Sequence, residues 1–278
     1  MAGVANSLRL QGRYDEAEGA FVEAFKAAEA DLGAHDPQIR SILNNWAIVY
    51  KYNGRFDDAE RLYRRALSIA ELTFGPDHLE LASIYHNLGG LEHARSRYAR
   101  GEAWARRSVE IREAGLGADH PTVAADRAAL AAIVDALGRS DEAEMLLRDA
   151  LVTFERVYGP AHYEVAVTLN NLAAIAQRRA EFSEAEALYR RSTAIKEHLL
   201  GRDHPELATT LNNLATVLRK QQRYQEAEAL YLRCLRIWEK TLDAHHPSLL
   251  TCLENYAVLL RDQGRQSEAQ QMEMRAAR

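Results

Sequence analysis

The chain is poor in cysteine, in basic excess and in long apolar runs, and each shortage excludes a class of protein. Its 278 residues hold two cysteines, Cys234 and Cys252, too few for a disulfide framework and without metal-ligand spacing. A reducing, cytoplasmic setting is therefore expected. No apolar stretch reaches 18 residues, and the opening MAGVANSLRLQGRYDEAE lacks the apolar run of a signal peptide, so nothing addresses the chain to a membrane. The formal net charge of -5 lacks the basic excess that marks general nucleic-acid or anionic-membrane binding. Also absent are G-x-S-x-G, H-E-x-x-H and any phosphate-cradling glycine loop, so no enzyme is expected.

What the chain has is repetition. LNNLA spans Leu169 to Ala173 and returns at Leu211 to Ala215, with LNNWA at Leu43 to Ala47 and LENYA at Leu253 to Ala257. A shift of 42 aligns Gly33, Gly75, Gly117, Gly159 and Gly201 with Asp243, and aligns His78, His120, His162, His204 and His246 with Asp36, all without insertion or deletion. Ala17, Ala59, Ala143, Ala185, Ala227 and Ala269 form another column, broken only by Gly101. A fixed period of this length signals stacked structural units.

Each unit reads as two helices. The first begins after a G-x-x-H-P turn, where Pro37, Pro121, Pro205 and Pro247 fit the first helical position, and ends near Gly12, Gly54, Gly138 or Gly264. The second opens on an acidic turn, FDDAE (Phe56 to Glu60) or YQEAE (Tyr224 to Glu228), and runs into arginines, with Glu60 before Arg64 and Glu186 before Arg190 as solvated i,i+4 pairs. A single pair cannot bury its apolar stripe, so neighbours must stack.

The succession L-x-N-L-A, G-R-Y, A-E-x-L-Y and A-L resembles the tetratricopeptide repeat, and the 42-residue period with LNNLA and GxDHP resembles its kinesin light chain type. The resemblance implies an all-α fold: a right-handed superhelical solenoid of antiparallel helix pairs. A single repeat domain over 1–278 is expected, with a partial first repeat over 1–32 followed by six 42-residue repeats. Small residues should let helices approach closely in the Ala59 column, in the Ala47 column and in the column Ala66, Ser108, Ala150, Ser192, Cys234 and Ala276. Two units depart from the pattern. Arg127 and Ala129 replace the expected Leu and Asn, and SRYARGEA replaces a G-R turn with its acidic run, so looser packing or an altered groove is expected there. Since Met1 to Ala5 aligns with LNNLA, the chain is expected to be a fragment of a longer protein.

A helical wheel divides the first helix. In one unit Leu211, Leu214, Ala215 and Leu218 share a stripe about 100° wide, while Thr209, Asn212, Asn213, Thr216, Arg219 and Lys220 lie opposite. Equivalent positions elsewhere hold Asn44, Asn45 and Lys51; His86, Asn87 and His93; Asn170, Asn171 and Arg178; Asn255 and Arg261. With Arg9, these slots hold six Lys or Arg against Asp135, Glu254 and Asp262. The resemblance places this face on the concave side of the solenoid. An amide ladder suits an extended peptide, because Asn offers a donor and an acceptor to each peptide unit, and the cations favour an acidic or carboxylate-bearing one. Kinesin light chain repeats bind acidic, Trp-containing cargo peptides, and the face is compatible with that class. Asn170 and Asn212 lean toward ligand contact. Asn45, Asn87, Asn171, Asn213 and Asn255 either contact the peptide or hydrogen-bond to the neighbouring unit's turn.

The in-register histidines are expected to support turns. Packed units lie at least about 8–10 Å apart, so one ion at about 2.0–2.1 Å cannot bridge two of them, and neither metal nor cofactor is expected. Cys234 is expected to pack rather than react, and Trp46, Trp104 and Trp238 to belong to the core. The leading reading is a scaffold for a protein or peptide partner with an acidic segment, without nucleic acid or membrane. The alternative is a sensor or self-association arm of a larger signalling protein with an NTPase or protease domain.

Overall fold

The computed structural model describes residues 2–34 and 36–277. Met1, the first residue of the stretch aligned with LNNLA, lies outside them. Among the described residues there are fourteen α-helices and no strand. They are α1 (Ala2–Leu10), α2 (Tyr14–Leu32), α3 (Pro37–Tyr52), α4 (Phe56–Phe74), α5 (Ala82–Ala94), α6 (Tyr98–Leu116), α7 (Pro121–Ala136) and α8 (Ser140–Tyr158). Then follow α9 (Tyr163–Arg178), α10 (Phe182–Leu200), α11 (Pro205–Lys220), α12 (Tyr224–Thr241), α13 (Pro247–Asp262) and α14 (Gln266–Ala276). A short 3-10 turn, Leu79–Leu81, leads into α5, where Leu79 stands in place of the proline that opens α3, α7, α11 and α13.

The chain forms two compact units, Met1–Leu146 and Leu147–Arg278, and the division falls inside α8. In the first, α1 packs on α2, α3 on α4 and α5 on α6, and each even-numbered helix also packs on the odd-numbered helix after it. The second repeats this with α9 on α10, α11 on α12 and α13 on α14. The first core gathers Ile39, Leu43, Tyr63, Leu81, Ile84 and Leu88. The second gathers Tyr189, Leu207, Leu211, Leu214, Leu218 and Tyr231. The stripe Leu211, Leu214, Ala215 and Leu218 is buried throughout, as the wheel requires. Removing one such leucine side chain costs about 2–5 kcal/mol.

The small-residue columns sit at the helix contacts. Ala17, Ala59, Ala143, Ala185, Ala227 and Ala269 are all fully buried. In the second small column the polar members find partners across the pair: Ser192 Oγ donates to the Ala166 carbonyl at 2.7 Å and Cys234 Sγ to Ala208 at 3.3 Å, while Ser108 Oγ, 2.8 Å from the Ala82 carbonyl, shares its one hydrogen between that oxygen and Asp126. A serine or cysteine there binds a carbonyl of the first helical turn and costs no unsatisfied group. Burial, with Cys252 nearby, pushes the Cys234 thiol far up, so it packs as expected. Trp238 is a core residue, but Trp46 and Trp104 only pack against the core; Trp104 stacks on Tyr85 at 5.6 Å.

The irregular second repeat is not loosely packed. Gly89 and Gly101 let α5 and α6 meet closely, since a β-carbon on Gly101 would lie 3.1 Å from the Gly89 carbonyl.

Candidate binding face

The aligned histidines set where each first helix starts. Nδ1 of His78, His120, His162, His204 and His246 accepts the backbone N–H two residues on, at 3.2 to 3.3 Å. Asp36 does the same for Gln38 at 2.8 Å with a carboxylate oxygen. Each ring thus fills the role usually taken by Ser, Thr, Asp or Asn at a helix N-cap. Engaged in this way, the rings serve their own helices, and no group of three metal-ligating side chains converges among the described residues.

Started in register, the odd-numbered helices lie side by side: α1, α3, α5 and α7 in the first unit, α9, α11 and α13 in the second. Their polar faces meet in a ladder. Asn87 Nδ2 donates to Asn44 Oδ1 at 2.9 Å, and Asn255 Nδ2 to Asn212 Oδ1 at 3.2 Å. Within a helix, Asn44 approaches Asn45 and Asn212 approaches Asn213, each at 3.5 Å. Thr210 Oγ1 donates to Asn170 Oδ1 at 3.1 Å and receives Lys196 Nζ at 3.1 Å. Asn213 also reaches the Tyr189 hydroxyl. Asn171 is half-buried on the same face.

This corrects the expected geometry. The bonded partner of Asn87 and Asn255 is an asparagine on the preceding odd-numbered helix, not a turn. Asn212, expected to favour ligand contact, is only 7% exposed. Its amide bridges two neighbours because helix packing brings this column closer together than a wheel of one helix can reveal.

The cations are also partly committed. Arg219 pairs with Asp262 at 2.7 Å, and Arg261 pairs with Glu273. Arg178 is exposed but makes an interaction of its own. Lys220 is exposed at the end of α11. Lys51 is half-buried in the first unit, and burial lowers its pKa.

On the other side, the charges expected to be merely solvated tie repeats together. Glu60 accepts Arg64 within α4 at 2.9 Å and also pairs with Arg95 of the following repeat. Glu186 accepts Arg190 at 2.8 Å and Arg223 at 2.6 Å. The pattern recurs where Arg55 joins Glu18 to Asp58 and where Arg265 joins Glu228 to Glu268. Its sequence signal is an arginine opening the second helix, an acid three residues later and a glutamate 37 residues earlier.

Helix pairs capped alike, joined through small-residue columns and presenting a polar ladder on one helix of each pair define a scaffold of helical repeats. Such a fold generally serves interaction rather than catalysis. The chain belongs to the tetratricopeptide repeat family, which matches residues 1–71, 38–114, 80–152, 130–198 and 206–278. Among solved structures it is similar to BtubC of P. vanneervenii, with 26% identity and a TM-score of 0.68 over 83% of this chain and 91% of that one. It is also similar to a kinesin light chain protein of nearly identical TPR-like repeats from P. anserina, at 24% identity and TM-score 0.61, covering 73% of this chain and 96% of that one. A signal transduction ATPase with a tetratricopeptide repeat sensor, from Pyrococcus horikoshii, matches at 15% identity and TM-score 0.75 over 99% of this chain and 40% of that chain. No curated protein matches the chain. Among the described residues, no helix is long and apolar enough to cross a membrane.

Proposed function

We propose that this chain is a cytoplasmic interaction scaffold, one repeat domain by its period, that binds an extended acidic or carboxylate-bearing peptide along the polar faces of its odd-numbered helices. The observation that supports this reading most is the ladder itself. Asn87 and Asn255 each spend one N–H on a rung, leaving an oxygen and a second N–H per amide for a ligand. Lys51 and Lys220 supply positive charge beside it. The pairing of Arg219 and Arg261 within the protein makes them weaker anchors than their charge alone implies.

Fluorescence anisotropy of a library of acidic peptides tests this. Binding should weaken with salt and with Lys51→Glu or Lys220→Glu. Peptides that bind the charge-reversed proteins as tightly as the original would sink the reading.

A second reading is favoured by the likeness to the P. horikoshii ATPase, in which the comparable repeats form a sensor. On it the chain is a sensing arm of a larger protein and the bound segment lies in the same polypeptide. Light scattering across a concentration series separates a self-associating arm from a monomeric scaffold.

A further inference from the structure

Three columns shrink together in the first unit. Where α2, α4, α8, α10 and α12 carry Phe21, Tyr63, Leu147, Tyr189 and Tyr231, and α14 carries Glu273, α6 carries Ala105. Where α3, α5, α9, α11 and α13 carry the ladder asparagine, α7 carries Ala129, and Gly90 on α5 stands in a column whose other members all have a β-carbon. These three truncations line one cavity of about 250 Å³, together with Lys51, His86, His93 and Asp126. Each substitution alone reads as a lapse in the repeat. Their convergence makes a chamber that the repeat pattern would otherwise fill.

The chamber holds an uncommitted cation. Lys51 reaches from α3 over Gly90, where a β-carbon would lie 3.0 Å from Nζ. Among the described residues its ammonium makes no hydrogen bond or ion pair, and the Tyr52 ring centre is 5.9 Å away. The acid in the wall does not neutralise it. Asp126, 1% exposed, takes Arg112 and His86 Nδ1 on one oxygen, each at 2.6 Å, and Ser108 on the other. Since a carboxylate only accepts, His86 carries its proton on Nδ1. Burial first, then the charge of Lys51, lowers the pKa of His93, so that ring adds no strong competing cation near neutrality.

We propose that this cavity is a binding site for a carboxylate on a small apolar body. The body takes the volume that a tyrosine ring fills in the parent column, and the carboxylate pairs with Lys51. Ala105, Ala129 and Ile133 supply the apolar wall. A free organic acid and a glutamate side chain on a peptide carry the same chemistry. The free acid needs only the cavity, and in that form the site does not depend on the peptide reading above.

The experiment follows the imidazole resonances of His86 and His93 by NMR while the chain is titrated with benzoate, glutarate, the neutral isostere benzamide, or a blocked pentapeptide containing one glutamate. Benzoate should bind saturably with a Kd on the order of 1 mM, as suits so small a ligand. Lys51→Met should weaken it roughly 10-fold, the loss of one charge-assisted pair. Ala105→Tyr, which restores the column's own residue, should abolish it. Response to the free acids identifies a small-molecule site, and response to the peptide alone identifies a side-chain subsite. The proposal falls if benzamide binds as well as benzoate, if binding survives Ala105→Tyr, or if none of the carboxylates moves either histidine. Should Ala105→Tyr not fold, Lys51→Met decides: undiminished benzoate binding overturns the assignment.

Discussion

Replacing His204 isolates what the repeated histidine does. Its Nδ1 accepts the Glu206 N–H at 3.3 Å, and among the described residues no aromatic ring stacks on it, whereas His162 lies against Tyr158 at 4.3 Å and His78 against Phe74 at 4.8 Å. Losing an N-cap side chain costs about 0.5–2 kcal/mol, and the long N–H···N contact places His204→Ala near 0.5–1 kcal/mol. His204→Asp keeps an acceptor and adds a negative charge at the helix N-terminus, worth about 0.3–1 kcal/mol, though Glu206 and Asp203 repel it. It should therefore stay within about 0.5 kcal/mol of the original. His162→Asp should fare worse than His204→Asp by about 0.5–1 kcal/mol, because it also gives up the ring stack. Urea unfolding followed by far-UV circular dichroism reads each midpoint, with His245→Ala, at an exposed position, as the control. Equal damage from His204→Ala and His204→Asp would mean that the ring packs rather than caps, and the reasoning would fail.

Other parts of the fold make separate claims. Burial opposes ionisation of Glu60, but hydrogen bonds from Arg95 and Arg64, with their charges, overcome it and hold the carboxyl at about 2 rather than 4.5. The stabilisation is complete above the ordinary carboxylate value and is lost as pH falls from there through about 2. Glu60→Gln should thus cost about 1 kcal/mol at neutral pH after solvent screening, with the difference vanishing in acid titrations of stability. Ala180 sits at φ 61° where Gly54, Gly138 and Gly264 stand in other repeats. Ala180→Gly should add about 0.5–1 kcal/mol, and an unchanged or lower urea midpoint would refute the strain. Cys234 and Cys252 should react with a thiol reagent only as fast as the chain opens, so rapid labelling of the native protein would contradict their burial.

The fold was open to sequence reading because its determinants are local and recur. A histidine two residues before an N–H, a proline at the first helical position and a glycine after the last each act within one turn, and the 42-residue shift repeats each of them for comparison. The ladder face was half legible. A wheel places Asn87 and Asn255 on one side of a helix, but it knows nothing of the helix beside it, so their bonds to Asn44 and Asn212 came only with the packing. The same blindness hid Arg223 bridging Glu186 and Glu226. Glu226 lies only three residues from Arg223, but Glu186 lies 37 residues before it, and that separation concealed the link between repeats.

The second repeat shows why departures from a pattern must be judged together. Gly101 breaks an alanine column, and helix propensity alone predicts that Gly101→Ala gains about 1 kcal/mol. The added β-carbon would sit 3.1 Å from the Gly89 carbonyl, a backbone atom that moves only if the whole of α5 moves. The propensity gain and the packing cost are of similar size, so the net change should lie at or below zero. A thermal or urea midpoint raised by the full propensity term would show that α5 and α6 separate freely. The fixed approach claimed for this pair would then be wrong, and with it the shape of the chamber that Gly90 and Ala105 open beside it.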